Sequence, residues 1–93
     1  WRALLVSPAG VIIQQDQRRH LQDSIPQIKI VDTCSPYQFS VYPEASYDFI
    51  ISMVPIKNAS KPVADVSRMT KGQRVQFIEE FLFDKMDGKD CFP

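Results

Sequence analysis

Cysteine, histidine and any excess of one charge are what this 93-residue chain has least of. Its two cysteines, Cys34 and Cys91, are too few for a disulfide framework and lack the spacing of metal ligands. That usage fits a reduced, cytoplasmic protein in which a Cys34–Cys91 bridge is not expected. Lys plus Arg and Asp plus Glu each number 11, so the formal net charge at pH 7 is zero. A DNA-reading domain of this size is normally basic, and an anionic membrane also attracts surplus cations, so neither is expected to bind here directly. No apolar run approaches the ~20 residues that cross a bilayer. The chain opens on Trp1, with no initiator Met and no signal peptide. It therefore reads as one domain, residues 1–93, cut from a longer protein.

What is present is the composition of an ordinary globular chain, 44% hydrophobic and 24% charged. Residues 2–7, RALLVS, are apolar enough for a strand buried on both faces. The loop Ser7-Pro8-Ala9-Gly10 leads into a helix from Val11 to Ser24. Its middle is almost wholly polar, so only Ile13, Leu21 and Val11 or Ile25 are left to form an inward stripe. Pro26 closes that helix. Residues 27–33, QIKIVDT, show strand rhythm. Ser35-Pro36 then starts a short second helix, roughly Tyr37 to Val41, which Pro43 stops. Residues 47–54, YDFIISMV, form the longest apolar strand, and residues 62–66, PVADV, a short last one suited to an edge.

The last helix carries a capping box, Thr70-x-x-Gln73. Val75, Ile78, Phe81 and Leu82 recur along it at helical spacing, with Phe77 widening the stripe, and Gly88 ends it. Strands alternating with helices predict an α/β fold: a four-stranded parallel sheet of order 2-1-3-4 with helices on both faces, a three-layer sandwich. The order reverses beyond the carboxyl end of strand 1, where open sheets of this kind bind ligands. Residues 7–10 lie there.

Several features together resemble the enzyme IIB components of the sugar phosphotransferase system (PTS), especially the galactitol and lactose/cellobiose types. They are the strand-1 loop at the switch point, the Tyr47-Asp48-Phe49-Ile50-Ile51-Ser52 strand, Pro62-Val63 followed by Val66-Ser67, and the capped last helix. The resemblance covers nearly the whole chain, although no one of these motifs is specific alone. In that family a cysteine ends strand 1 and carries a phosphoryl group held by loop N–H groups and a helix N-terminus. The same domain recurs in Gram-positive transcription regulators that contain PTS regulation domains, and Mga-type regulators resemble that arrangement too.

The sequence departs from the pattern at the reacting position. Ser7 stands where the family has its phosphocysteine, Pro8-Ala9 occupies the small-residue loop, and only Gly10 remains as a loop glycine. An alcohol lies far above the thiol range of about 8.5 and needs an adjacent base, which the loop lacks. Pro8 also removes one N–H donor. The resemblance, read with this departure, implies a non-catalytic regulatory and oligomerisation domain at the C-terminal end of a longer regulator. It implies self-association, contacts with PTS proteins, DNA contact only through other domains, and no cofactor or metal. The alternative is an active phosphocarrier using Ser7 or Cys34. A receiver domain holding Mg²⁺ is weaker still, because strand 1 ends without acidic residues. Arg18-Arg19 and His20 read as solvated side chains, with Asp16 an i,i+4 partner for the histidine. Tyr37, Phe39, Tyr42 and Phe83 are the candidate interface residues.

Overall fold

Leu4, Leu5 and Val6 have no exposure at all, because their strand has a neighbour on each side and packing on both faces. In the computed structural model, which describes residues 1–39, 41–56, 59 and 61–87, this strand is β1 (Arg2–Val6). Helix α1 (Val11–Ser24), strand β2 (Lys29–Cys34) and helix α2 (Pro36–Phe39) follow. After a 3-10 turn at Glu44–Ser46 come β3 (Phe49–Ser52), β4 (Val63–Asp65) and α3 (Lys71–Phe81), which continues as a π-helical turn, Leu82–Asp87. All pairings are parallel and the sheet order is β2-β1-β3-β4, as the alternation of elements predicts. The predicted stop at Gly88 and the chain beyond it lie outside the described residues.

Side chains alternate across β1 and divide the core in two. Ala3 and Leu5 join Phe49, Ile51, Leu21 and Ile25 of the α1 segment, and Ile78 and Leu82 from the α3 segment. Leu4 and Val6 join Ile50, Cys34 and Tyr47, with Phe39, Tyr42, Val54, Ile56 and Ala59 against them. The two long helices thus share one cluster. The other is covered by the four-residue α2 and by the β3–β4 crossover, whose described residues form no helix. Within β2, strict alternation would put Cys34 on the same side as Ile30. An irregularity at Val31, where Ala3 pairs with Ile30 but Leu4 with Asp32, rephases the strand and turns Cys34 to the second cluster.

Two strands are shorter than their apolar runs. β3 stops at Ser52 because the Ser52 hydroxyl turns onto Val54, donating to its carbonyl and accepting its N–H at 3.2 Å. Pro62 lends β3 a carbonyl, accepting from the Ile50 N–H at 2.9 Å, but cannot donate, in keeping with its place at the start of an edge strand.

The polar middle of α1 does more than face water. Gln14, Arg18 and Gln22 recur every four residues and so share one side of the helix. Gln14 donates to the Ser7 carbonyl at 2.8 Å and Arg18 to the Ile30 carbonyl at 2.8 Å. Gln22 donates to the Ile28 carbonyl at 2.6 Å and accepts the Ile30 N–H at 2.8 Å. Farther along, the Thr33 N–H is taken by the Asp32 carboxylate at 2.8 Å. The outer edge of β2 is therefore finished by side chains rather than by another strand.

The apolar end of α1 departs from expectation. Leu21 and Ile25 are buried, but Val11, Ile12 and Ile13 are 67%, 84% and 55% exposed. These three residues make up the first turn of α1, ahead of Gln14, and that turn is left uncovered.

At the opposite end, Asp48 ties β3 to β1. Its carboxylate accepts from the Arg2 backbone N–H at 2.9 Å and from the guanidinium at 3.1 and 3.4 Å, while its own N–H donates to the Arg2 carbonyl at 2.9 Å. Hydrogen bonds from the Arg2 side chain, then from its backbone, hold the Asp48 carboxyl below its usual value. A lowered folded-state value contributes stability above the ordinary carboxylate range that is lost as pH falls through the folded value. Asp48→Asn is accordingly expected to flatten the acid limb of stability, with the two proteins converging below about pH 4. Because Arg2 is half exposed, the difference at neutral pH should not exceed about 1 kcal/mol, read by urea unfolding across pH. Gln22→Ala leaves the part-buried Ile28 carbonyl and Ile30 N–H without their partner and should cost about 1–3 kcal/mol. Gln15→Ala, on the exposed side, should change stability by less than about 0.5 kcal/mol in the same assay.

Candidate functional site

The carboxyl ends of β1 and β2 are level, joined where the Ser7 N–H donates to the Cys34 carbonyl at 3.0 Å. This is the reversal of strand order, and the Ser7–Gly10 loop lies at it as predicted. Ser7 is fully buried. Its hydroxyl accepts the Ala9 N–H at 3.3 Å and its carbonyl accepts from Gln14. Pro8 and Gly10 are exposed and Ala9 is half-buried.

Two of the loop's backbone positions offer an anion nothing: Pro8 has no N–H, and the N–H of Ala9 is directed to the Ser7 hydroxyl. Gly10 has φ −66° and ψ 167°, an extended conformation open to any residue. Residues 3–15 hold no charged side chain. The first charge after β1 is the wrong sign for an anion: Asp16, 3.5 Å from Lys71. The partner of the Ser7 hydroxyl is a donor, the Ala9 N–H, and not a base.

Cys34, the other nucleophile at this end, is a free thiol with 3% exposure. Burial, then the neighbouring Asp32 carboxylate, pushes it up to about 11. At neutral pH it is a protonated thiol and a poor nucleophile. Cys91 lies outside the described residues. A cleft of about 280 Å³ opens beside Cys34, bounded by Asp32, Thr33, Gln38, Val41, Tyr42 and Pro43. Inside it the Tyr42 hydroxyl donates to Asp32 at 2.8 Å. Burial, then that bond, holds the phenol up at about 12.

The four aromatic candidates separate by burial. Phe39 and Tyr42 pack against the second cluster, whereas Tyr37 and Phe83 are 90% and 63% exposed. The first helix adds Val11, Ile12 and Ile13 to the exposed hydrophobics, a correction to the sequence reading that counted Ile13 and Val11 in its inward stripe.

His20 is half-buried rather than solvated, and its Nε2 is shut away without a hydrogen-bond partner, as are Gln17 Oε1 and Arg74 Nε. The Lys71–Asp16 pair, 3.5 Å, links α3 to α1. Asp16 is thereby drawn across to α3 instead of along its own helix to His20. Arg18 is likewise engaged, on the Ile30 carbonyl. Among the described residues no three His, Cys, Asp or Glu side chains gather as a metal site, and no helix is long and apolar enough to cross a membrane.

Compared with protein-family models, curated proteins and solved structures, the chain matches none.

The burial of Cys34 has a direct readout. In a Cys91→Ser chain, a thiol reagent at pH 8 is expected to label Cys34 slowly in the folded protein and rapidly in denaturant. Fast labelling without denaturant, followed by absorbance, would contradict the buried thiol.

Proposed function

We propose that this chain is a non-catalytic regulatory and oligomerisation domain resembling PTS enzyme IIB, carried by a transcription regulator of the Mga or PTS-regulation-domain type. It acts through protein contacts, self-association foremost and PTS proteins second. It leaves DNA to other domains of its parent and works in the cytoplasm, where a thiol such as Cys34 stays reduced.

The observation that supports this reading is the state of the switch-point loop. Phosphoryl transfer needs an activated nucleophile and donors aimed at the transferred oxygens. The loop offers a buried hydroxyl already occupied by the Ala9 N–H, a proline and no charged residue of its own. The thiol one register step away is protonated at working pH. A domain built this way keeps the sheet of a phosphocarrier without its chemistry.

The test is to incubate the chain with phosphorylated upstream PTS proteins and weigh it intact. No added phosphate is expected, whether Ser7 is present or replaced in Ser7→Ala. An adduct localised to Ser7 or Cys34 by fragmentation would instead establish the phosphocarrier. Ser7→Ala should also fold, losing about 0.5–1.5 kcal/mol for the bond to Ala9.

A further inference from the structure

The irregularity at Val31 decides which side of the sheet Asp32 serves. Strict alternation from Ile30 would set Asp32 and Cys34 with the first cluster, on the α1 side. Instead they pair level with Leu4 and Val6 and stand with the second cluster. Bulges re-aim side chains in this way, often beside functional sites. The re-aimed pair borders the cleft of about 280 Å³ that also takes in Gln38, Val41, Tyr42 and Pro43.

Counting donors and acceptors gives that cleft a definite character. Asp32 is exposed and is the one charged residue between positions 31 and 43. Among the described residues no Lys or Arg pairs with it. Its Oδ1 accepts the Thr33 N–H and its Oδ2 the Tyr42 hydroxyl, both at 2.8 Å, which leaves each oxygen a further lone pair. Tyr42 has used its one donor, so its oxygen can only accept. Against these stand the Cys34 thiol, a weak donor, and the exposed amide of Gln38, whose oxygen takes the Ser35 N–H at 3.0 Å. The cleft is rich in acceptors and carries one negative charge that no side chain balances.

We propose that this cleft binds a small organic cation with N–H donors, a primary amine. An ammonium group has three donors and no acceptor, the complement of the Asp32 and Tyr42 oxygens, and its bonds to a carboxylate are charge-assisted. An anion would be repelled by Asp32. A Mg²⁺ or Ca²⁺ ion takes six or more oxygen ligands, and the cleft has one carboxylate. Val41, 83% exposed, and Pro43 supply apolar surface for a short carbon chain. The volume equals about nine waters at ~30 Å³ each, which limits the ligand to a small molecule. The carboxyl end of a parallel strand, beside the switch point, is also where open sheets take ligands.

Titration of the ¹⁵N-labelled 93-residue chain with butylammonium chloride at pH 7, followed by amide NMR shifts, tests this. Saturable shifts confined to residues 32–42 are expected, with a Kd of about 1 mM. Asp32→Asn keeps acceptors for the Thr33 N–H and the Tyr42 hydroxyl but loses the charge, and should weaken binding at least about tenfold. 1-Butanol, with the same carbon chain and no charge, should bind the unaltered chain at least about tenfold more weakly, a comparison that holds whether or not the variant folds. Asp48→Asn, at the opposite end of the sheet, should leave the Kd as it was.

Absence of saturable shifts would overturn the proposal. So would shifts shared equally with the surface carboxylates of Asp16 and Asp48, or butanol binding as tightly as the amine. Saturable shifts with magnesium chloride and none with the amine would assign Asp32 to a metal ion instead and overturn it. A lysine-containing tetrapeptide that binds where butylammonium does not would assign the cleft to a protein partner, and would also overturn it.

Discussion

An all-parallel sheet of four strands leaves two edges, and the backbone groups on those edges need partners as much as the buried ones do. In this protein the β2 edge is settled by α1, which reaches across with Arg18 and Gln22, while Gln14 holds the loop after β1. The rest of the arrangement follows from that attachment. Fixing α1 along β2 places Leu21 and Ile25 over the sheet and carries Asp16 to within reach of Lys71 on α3. It also fixes which turn of the helix is left uncovered. A helix held by apolar contacts alone would need a stripe along its full length. One held by three polar side chains can leave its first turn uncovered.

The same economy shapes the loop before α1. Gln14 bonds the Ser7 carbonyl, and the Ser7 hydroxyl bonds Ala9, so the loop is stabilised from within. In open parallel sheets this position is where an anion would be gathered. Here the hydrogen-bonding groups are turned on one another, and the side chains pointing outward are apolar. The donor that braces Ser7, the Ala9 N–H, is one that is not turned outward to a ligand.

Much of the architecture was legible from the sequence. β1 and β3 are continuous apolar runs, which only a doubly covered parallel strand explains, and sheet order followed from the alternation of elements. Thr70 and Gln73 form both halves of the predicted capping box. The strand ends were less legible, because they depend on single hydrogen bonds such as that of Ser52 to Val54. The phase of β2 was hidden too, since no residue type announces the irregularity at Val31 that sends Cys34 to the second cluster. The polar stripe was the largest miss. Gln and Arg at positions 14, 18 and 22 read as a wet face by hydropathy, and only the proximity of the edge strand and of the loop after β1 turns them into hydrogen-bond partners. The missing donor at Pro8, by contrast, is written in residue identity, and the geometry adds that the Ser7 hydroxyl is occupied by the Ala9 N–H.

Burial and charge together separate the two kinds of surface this end of the sheet might present. A catalytic rim concentrates polar groups with perturbed protonation around an open volume. The cleft beside Cys34 has some of that character, yet its Tyr42 and Cys34 are both pushed toward their neutral, protonated forms, and its carboxylate, Asp32, is committed to Tyr42 and to the Thr33 N–H. Such groups hold a fold in register. Past them, the exposed Val11, Ile12, Ile13, Tyr37 and Val41 carry no charge, and covering such side chains costs little desolvation, since no ion has to be stripped of its shell.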